Sequence, residues 1–322
     1  MRNIVITGAL ALAATSTVAS AATLFSDNFK TNTSAAYTVN NGPGNNDATF
    51  AYDYSAVGIP AAPGNSDTLG LRLRANLAPV PTPAVQGGIS VSPIGQSFAG
   101  DYTVRFNAWQ NYPGPLPAGG SGSTQLLTYA VGTAGTTPQR PGSTLDGVMF
   151  ATTGDGGSGD DYRIYGPGAT GAQVDPAAFP GTYAAGNTTA ARNNTNAYYS
   201  SFGNKAAPAA QLALYPTQTG NSAVGTQGFA WHDVTLVKVG NKVLWNIDGI
   251  RIGTVDLAAM SIILGGGNIS LGYSDVNTSV SSADQALNIG LIDNLIVTDV
   301  VPEPTTLTVL GGAATLLLRR RK

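Results

Sequence analysis

The sequence predicts an all-β protein, an antiparallel sandwich of many short strands. Charged residues make up only 11% of the 322 residues, against about 25% in a typical soluble domain. Glu303 is the single Glu among 18 carboxylates, whereas long helices normally carry Glu, Lys and Gln on their wet face. About a dozen extended segments are punctuated by Gly and Pro, which is typical of a sandwich or jelly roll. A hydrophobic share of 43% is enough for a sizeable core.

Strands in the first half of the chain are predicted mainly from alternation. Residues 69–77 and 101–109 alternate apolar and polar side chains, the period-two pattern of a half-buried strand. A Pro-, Gly- and Ser-rich insertion at about 111–124 interrupts the series. The other extended segments of this half are residues 23–29, 48–54, 87–92, 125–131, 145–152 and 161–165.

A pair of hairpins gives the strongest local pattern in the second half. Gly240-Asn241 and Asp248-Gly249 are two-residue turns of the type that supplies positive φ angles. The strands around them are residues 233–239, 242–247 and 250–255.

The remaining assignments are weaker. Residues 268–273 and 290–298 complete the set of strands, and 256–261 is the longest helix that the pattern allows. We interpret 166–225 as a long, loop-rich insertion; its candidate strands lie near residues 196–202 and 210–215.

Four short motifs point to a family. They are Asp27-Asn28-Phe29, Trp231-His232-Asp233-Val234-Thr235-Leu236, Asn246-Ile247-Asp248-Gly249 and Ile292-Asp293-Asn294-Leu295. Together they resemble the concanavalin A-like lectin/glucanase superfamily, specifically laminin G-like domains. The resemblance implies a jelly-roll sandwich over residues 22–300 and, as in many laminin G-like domains, a calcium ion at one rim. A fold does not by itself imply a function.

The N-terminus has the pattern of a secretory signal peptide. Arg2 provides a positive charge, residues 4–14 are apolar, and Ala19-Ser20-Ala21 is the small-x-small pattern that signal peptidase recognises. We therefore predict a signal peptide at residues 1–21, with an N-terminal core helix as the alternative.

The C-terminus combines three ordered features. Pro302-Glu303-Pro304 precedes an apolar run at 307–318 and a terminal cluster of Arg319, Arg320, Arg321 and Lys322. The apolar run is short for a stable membrane span, which needs about 20 residues. This order resembles the PEP-CTERM sorting signal of Gram-negative bacteria, which an exosortase is thought to cut during export in hosts that make exopolysaccharide and biofilm.

That resemblance carries expectations about location and partners. Residues 301–322 would be a sorting tail with a short transmembrane segment that anchors the protein transiently in the inner membrane. The export machinery and an exosortase would be partners, and the mature protein would reside at the cell surface or in the extracellular matrix.

Composition excludes several functions. Residues 22–301 contain 17 Asp against 11 Lys and Arg, a net charge near −6 without basic runs, so nucleic acid is a poor partner. The chain has no Cys, which excludes disulfides, thiol nucleophiles and zinc–thiolate sites.

Catalytic patterns are missing as well. Glucanases of the superfamily use a pair of Glu, but the body of the chain has none. His232 is the only His, and no Gly-x-Ser-x-Gly occurs. We therefore predict no catalytic residues.

Two candidate sites lie on loops. Asp155, Asp160 and Asp161 offer three carboxylates within seven residues, a donor set that calcium accepts; a solvated acidic loop is the favoured alternative. Aromatic rings beside loops are candidates for stacking on sugars, although such rings also cover cores and edges. The candidates are Trp109, Tyr112, Tyr162 and Tyr165, together with the group Tyr198, Tyr199 and Phe202, whereas Trp245 is predicted to be core.

The sequence thus predicts an exported, non-catalytic surface or matrix protein that binds extracellular polysaccharide. A structural biofilm protein without a specific ligand is the first alternative, and a polysaccharide hydrolase is the second.

Overall fold

The computed structural model describes residues 21–77, 85–114, 124–168, 171–276 and 286–300. Within them the chain forms fourteen strands and one short α-helix. The strands are β1 (Thr23–Asp27), β2 (Tyr37–Asn41), β3 (Asp47–Asp53), β4 (Leu69–Arg74), β5 (Gly87–Pro93), β6 (Tyr102–Asn111), β7 (Gln125–Thr133), β8 (Val148–Thr153), β9 (Tyr162–Tyr165), β10 (Trp231–Val239), β11 (Lys242–Ile247), β12 (Ile250–Asp256), β13 (Asn268–Asp275) and β14 (Ile289–Asp299). The helix is α1 (Ala209–Leu214).

Two antiparallel sheets make a sandwich. The eight-stranded sheet has the order β12-β11-β10-β6-β14-β4-β3, and β1 pairs with the C-terminal half of β14. The six-stranded sheet has the order β2-β5-β13-β7-β8-β9. The predicted all-β sandwich is therefore confirmed. The predicted signal peptide and sorting tail lie outside the described residues, apart from residue 21.

The core lies between the inner faces of the two sheets. Trp245 of β11 is fully buried there, and its ring centroid lies 5.2 Å from that of Phe150 and 5.9 Å from that of Tyr129, both on the opposite sheet. The prediction that Trp245 belongs to the core is confirmed. Aromatic pairs at such separations stabilise a core beyond the area they bury.

The predicted hairpins are confirmed at both turns. Val239 pairs with Lys242 across the first turn, where Gly240 has a φ of +52°. Ile247 pairs with Ile250 across the second turn, where Asp248 (φ +50°) and Gly249 (φ +76°) both adopt left-handed conformations. A two-residue hairpin needs such angles because they match the twist of the strands.

The long insertion at 166–225 differs from its predicted strands. The segment near 196–202 contains a 3₁₀ turn at Ala197–Tyr199, and 210–215 falls mostly in α1, whose Ala, Gln and Leu residues are strong helix formers. Gln211 anchors α1 by donating from its buried amide to the Val57 carbonyl at 2.8 Å. Residues 257–261, predicted as helical, form turns instead. In the described part of the chain, no helix has the length and apolar character needed to span a membrane.

The outer faces of the two sheets differ. Every residue of β5, β7, β8 and β13 is buried, including those that point away from the core. Residues 134–147 lie over part of this face, where the backbone N–H of Gln139 donates to Ser90 Oγ at 3.0 Å. In β10, by contrast, buried and half-exposed residues alternate. The open polar surface of the sandwich is therefore on the eight-stranded sheet.

Candidate functional site: a polar groove on the eight-stranded sheet

A groove of about 740 Å³ lies on the outer face of the eight-stranded sheet. Residues from all four family-like motifs line it, although those motifs are up to 268 positions apart in the chain: Asp27, Asn28, Trp231, Asp233, Asp248 and Asn294. Strand β6 adds Arg105 and Asn107. The fold thus brings the separated motifs together around one concave surface.

Strand register builds the floor of the groove. Asn107 on β6 pairs with Asp233 on β10 and with Asp293 on β14. Neighbouring strands lie about 4.8 Å apart, and alternate residues share a face. The turn at Asp248 extends the row, because its backbone N–H donates to the carbonyl of Asp233 at 2.8 Å. Hydrogen-bonding groups are therefore aligned across the strands.

Arg105 and Asp233 form an ion pair on this floor. Nε of Arg105 donates to Oδ2 of Asp233 at 2.6 Å, and a second guanidinium nitrogen contacts the same oxygen. Thr235 donates to the other carboxylate oxygen at 3.1 Å. The hydrogen bond from Arg105 to Asp233 raises the pKa of the guanidinium. The Arg105 side chain is 63% exposed and that of Asp233 is 28% exposed, so solvent screens the pair and it adds little stability.

Asp248 closes one end of the row. Its Oδ1 accepts from the backbone N–H of Asp233 at 2.8 Å, and its Oδ2 lies 2.7 Å from Nδ1 of His232. Partial burial opposes ionisation of Asp248, but the hydrogen bond with His232, the charge of His232 and the backbone N–H of Asp233 together outweigh it and lower the pKa of the carboxyl. His232 points inward from the groove, and its buried Nε2 has no protein partner. His232 therefore holds the Asp248 carboxylate from the core side of the sheet.

A bulge in β14 brings Asn294 to the groove. The register shifts between Asp293 and Ile296, and Asn294 has a φ of +53°. Its side-chain amide donates to Oδ1 of Asn107 at 2.9 Å. Bulges commonly redirect side chains at functional surfaces.

Asp293 lies beneath this bulge and is fully buried. Its carboxylate accepts from the backbone N–H of Asn294 at 2.7 Å, from Asn65 Nδ2 at 2.8 Å and from the Tyr54 hydroxyl at 3.1 Å. Burial raises its pKa to about 6 despite these donors. Asp293 therefore fixes the bulge and does not present its carboxylate to the groove.

Asp27 has a comparable structural role on the opposite side. It accepts from the backbone N–H of Phe29, whose φ is +53°, and from the hydroxyls of Thr33 and Tyr37. These bonds define the turn after β1. The exposed side chain of Asn28 lies beside the groove as a result.

Trp231 provides an aromatic wall. Its Nε1 donates to the carbonyl of Pro60 at 2.8 Å, and its ring packs against Trp109 and Tyr54 at centroid distances of 5.7 and 5.3 Å. The part of Trp231 that stays exposed lines the groove together with Pro63. An aromatic ring beside amide and carboxylate groups suits a polyhydroxylated ligand.

Four of the predicted sugar-stacking aromatics, Trp109, Tyr112, Tyr162 and Tyr165, do not lie at an open surface. Their exposures are 2% for Trp109, 4% for Tyr112, 0% for Tyr162 and 4% for Tyr165. Tyr112 packs against Phe229, and Tyr162 stacks on Tyr199 with 3.8 Å between ring centroids. Because no ring face is free, the assignment of these residues to a sugar site is corrected.

Sequence reasoning missed the aromatic that does line the groove. In the sequence, Trp231 is assigned to a family-like motif and not to a ligand site. The alternation in 231–236 already placed Trp231, Asp233 and Thr235 on one face, opposite Val234 and Leu236. That pattern was the available signal.

The predicted calcium loop does not form a metal site. Asp161 is buried and accepts from Thr153 Oγ1 and from the backbone N–H of Asn194, while Asp160 pairs with Arg192. Burial raises the pKa of Asp161 to about 6 and also raises that of Asp155.

Across the described ranges, no group of three His, Cys, Asp or Glu side chains converges as metal ligands would. The residues Asp155, Asp160 and Asp161 therefore do not fit a calcium ion, and that assignment is corrected.

Comparison with known proteins finds similarity only among solved structures. No family model and no curated protein matches the chain. One similar structure is an endo-β-1,3-glucanase from Pyrococcus furiosus, with 12% identity, a TM-score of 0.45, and coverage of 87% of this chain and 95% of that one. Another is the metal-free carbohydrate recognition domain of Emp46p, with 9% identity, a TM-score of 0.42, and coverage of 86% and 97%.

A third similar structure is a protein of unknown function with a galectin-like fold from Bacillus subtilis. It has 10% identity and a TM-score of 0.40, with coverage of 88% of this chain and 98% of that one. At such scores the likeness carries no information about the ligand of this chain.

Proposed function

We propose that this protein is exported, that it works at the cell surface or in the extracellular matrix, and that it binds polysaccharide non-covalently in the groove. The observation that carries the proposal is the row of hydrogen-bonding side chains beside Trp231 on an open sheet face. Its amides and carboxylates are already oriented by neighbouring donors, so a ligand would meet a largely preformed surface.

The chemistry of the row suits hydroxyl groups. Each sugar hydroxyl can donate one hydrogen bond and accept others. Asn294 combines an amide donor with a carbonyl acceptor and is oriented by the buried Asn107, whose Oδ1 accepts from it, while the carboxylate of Asp248 accepts only. The half-exposed ring of Trp231 would cover an apolar sugar face.

Export is inferred from the two ends of the sequence. The signal-peptide pattern of residues 1–21 and the sorting-tail pattern of residues 301–322 support passage out of the cytoplasm. An exosortase and the export machinery would then be partners of the precursor.

We propose further that the groove is not catalytic. Glycoside hydrolysis requires one carboxyl that donates a proton and another that attacks or activates water. In the groove, Asp233 is held by Arg105, Asp248 by His232, and Asp27 by the turn that it caps. Carboxylates held in this way orient the groups that line the groove and do not serve as a proton donor or a nucleophile.

Binding can be tested by affinity electrophoresis of the secreted protein through gels that contain the exopolysaccharide of the host or purified polysaccharides. We expect retardation that is lost in Asn107→Ala and Asn294→Ala. The matched control is Thr103→Ala, because Thr103 lies on the same face of β6 but outside the groove. Unretarded wild-type protein would favour a structural matrix protein instead, and release of reducing ends would favour a hydrolase.

Export is tested separately by the mass of the protein recovered from culture. Removal of about 2 kDa from each end is expected if both signals are processed, at about 0.11 kDa per residue. Intact protein in the cytoplasm would contradict the proposal.

A further inference from the structure

The groove contains one cation, and an acid within the groove already holds it. Among the residues that line it, Arg105 is the single basic side chain, and Asp27, Asp233 and Asp248 are acidic. Arg105 directs Nε and a second nitrogen toward Asp233. The guanidinium that could bind a ligand carboxylate is therefore occupied by a protein carboxylate.

The position of Asp233 is itself fixed. Thr235 donates to its free carboxylate oxygen, and its backbone N–H and carbonyl both bond to Asp248. The bonds to Asp248 fix the main chain of Asp233, and its carboxylate cannot swing away from Arg105 without losing the bond from Thr235. A ligand carboxylate would have to displace an acid that is tethered beside the cation, which has the advantage of high effective concentration.

The balance of charge adds to this effect. Three acidic residues and one basic residue line the groove, and the body of the protein is acidic. Uronates and sulfated sugars would meet net repulsion there, and like-charge juxtaposition is costly at a binding surface. Uncharged sugars meet no such repulsion.

We propose that the groove selects uncharged polysaccharide over acidic polysaccharide and that Asp233 determines this selectivity by sequestering Arg105. The proposal rests on the polysaccharide-binding function proposed above and names the substrate class of the same site. Asp233 acts through Arg105, so Asp233 is a positioning residue. Removing its charge would free an exposed guanidinium at the centre of the groove.

The test compares two classes of polymer as probes for the secreted protein. Dextran and galactomannan represent uncharged polymers, and alginate represents a polyuronate. We expect wild-type protein to bind at least one uncharged polymer and to bind alginate at least about tenfold more weakly. In Asp233→Asn, alginate binding should strengthen about two- to tenfold, since the variant both removes a carboxylate from the groove and leaves the Arg105 guanidinium without its ionised partner.

Two further variants assign the effect. Asp233→Asn combined with Arg105→Gln should lose the gain, because no cation remains in the groove. Asp47→Asn is the matched charge control: Asp47 pairs with Arg72 and Arg74 on the same sheet, outside the groove, and its loss changes the net charge equally. That variant should leave alginate binding weak at an ionic strength of about 0.15 M, where screening acts over about 8 Å.

The outcomes separate the two proposals. Wild-type binding to alginate as tight as to uncharged polymers overturns the selectivity but leaves polysaccharide binding intact. Absence of a gain in Asp233→Asn, or an equal gain in Asp47→Asn, overturns the role of Asp233 alone. No binding of wild-type protein to any polymer overturns both the function and its substrate class.

Discussion

The outer faces of the two sheets have the same strand geometry, but they differ in how much of each face is exposed to solvent. On the eight-stranded sheet, Arg105, Asp233 and Asn294 remain accessible around the groove. On the four inner strands of the six-stranded sheet, β5, β13, β7 and β8, the corresponding outward positions are mostly small residues (Gly, Ser, Thr and Ala) or apolar ones, and all are buried. A second apolar cluster lies on that face, formed by Leu126, Ala130, Leu145, Met149, Ala151 and Tyr165.

The difference shows which strand patterns leave a sheet face uncovered by other segments of the chain. Small outward residues let other segments approach closely, as at Gly88, where a Cβ would lie 2.8 Å from Cδ of Arg140 in the covering segment 134–147. Large charged residues with exposed tips keep neighbouring segments away. The open face is therefore where long polar side chains alternate with apolar ones.

The largest expected effect comes from truncation on the covered face. Met149 is fully buried in the second apolar cluster, so Met149→Ala should lower the free energy of unfolding by about 2–5 kcal/mol. Val237→Ala is the counterpart on the open face of β10, where Val237 is half-exposed, and it should cost less than about 1 kcal/mol. Urea unfolding measures both. Equal losses would mean that the two faces are buried alike.

A smaller effect concerns one buried carboxyl near each sheet, Asp161 beside the six-stranded sheet and Asp293 in the eight-stranded sheet. Burial raises the pKa of each to about 6, from about 3.9 in the unfolded chain. The folded state then holds the proton more tightly, so this contribution to stability is complete below about pH 4 and is lost as the pH rises through 6. Between about pH 5 and 7 the free energy of unfolding should fall by about 1 kcal/mol for each carboxyl.

Single variants isolate this dependence. Asp161→Asn and Asp293→Asn should each remove about 1 kcal/mol of the fall in the free energy of unfolding between about pH 5 and 7, as measured by urea unfolding at several pH values. Groups with a lowered pKa, such as Asp248, stay ionised in this range and lose their contribution only at lower pH. A slope of opposite sign would contradict the prediction.

A still smaller effect is expected at the turn that ends the groove. Asp248→Asn weakens the bond to His232 and removes a charged acceptor for the Asp233 N–H. We expect a loss of about 0.5–1.5 kcal/mol, since hydrogen bonds contribute about that much. Asp175→Asn is the control, because Asp175 accepts one exposed local bond from Ala177. Similar losses in both variants would show that His232 adds nothing.

The sequence predicts the parts of the fold that are determined by turn residues and hydrophobic alternation close together in the chain. The hairpins of β10, β11 and β12 were predictable because Gly240 and Asp248-Gly249 define both turns and the strands alternate. The insertion at 166–225 was not, because its turns depend on side-chain caps such as Asn196 to the Tyr198 N–H, which leave no hydrophobic period.

The candidate site was less predictable than the fold. Trp109 and Trp231 occupy the same outer face, and alternation correctly groups each with its strand neighbours. Whether a ring on that face is covered depends on distant segments: Phe229 and residues around Ile59 pack in the same cluster as Trp109. Burial is therefore decided by contacts that no local pattern contains. For that reason the sequence predicts a sugar site at four aromatic rings that the fold buries.

The smallest expected change in stability is at the centre of the groove. Arg105→Gln breaks the ion pair with Asp233, but because the Arg105 side chain is 63% exposed, the free energy of unfolding should change by less than about 0.5 kcal/mol. Urea unfolding of this variant, compared with Met149→Ala under the same conditions, gives the full contrast between the open and covered faces. A loss above about 2 kcal/mol would mean that Arg105 supports the fold, because a residue kept for binding can be replaced at little cost to stability.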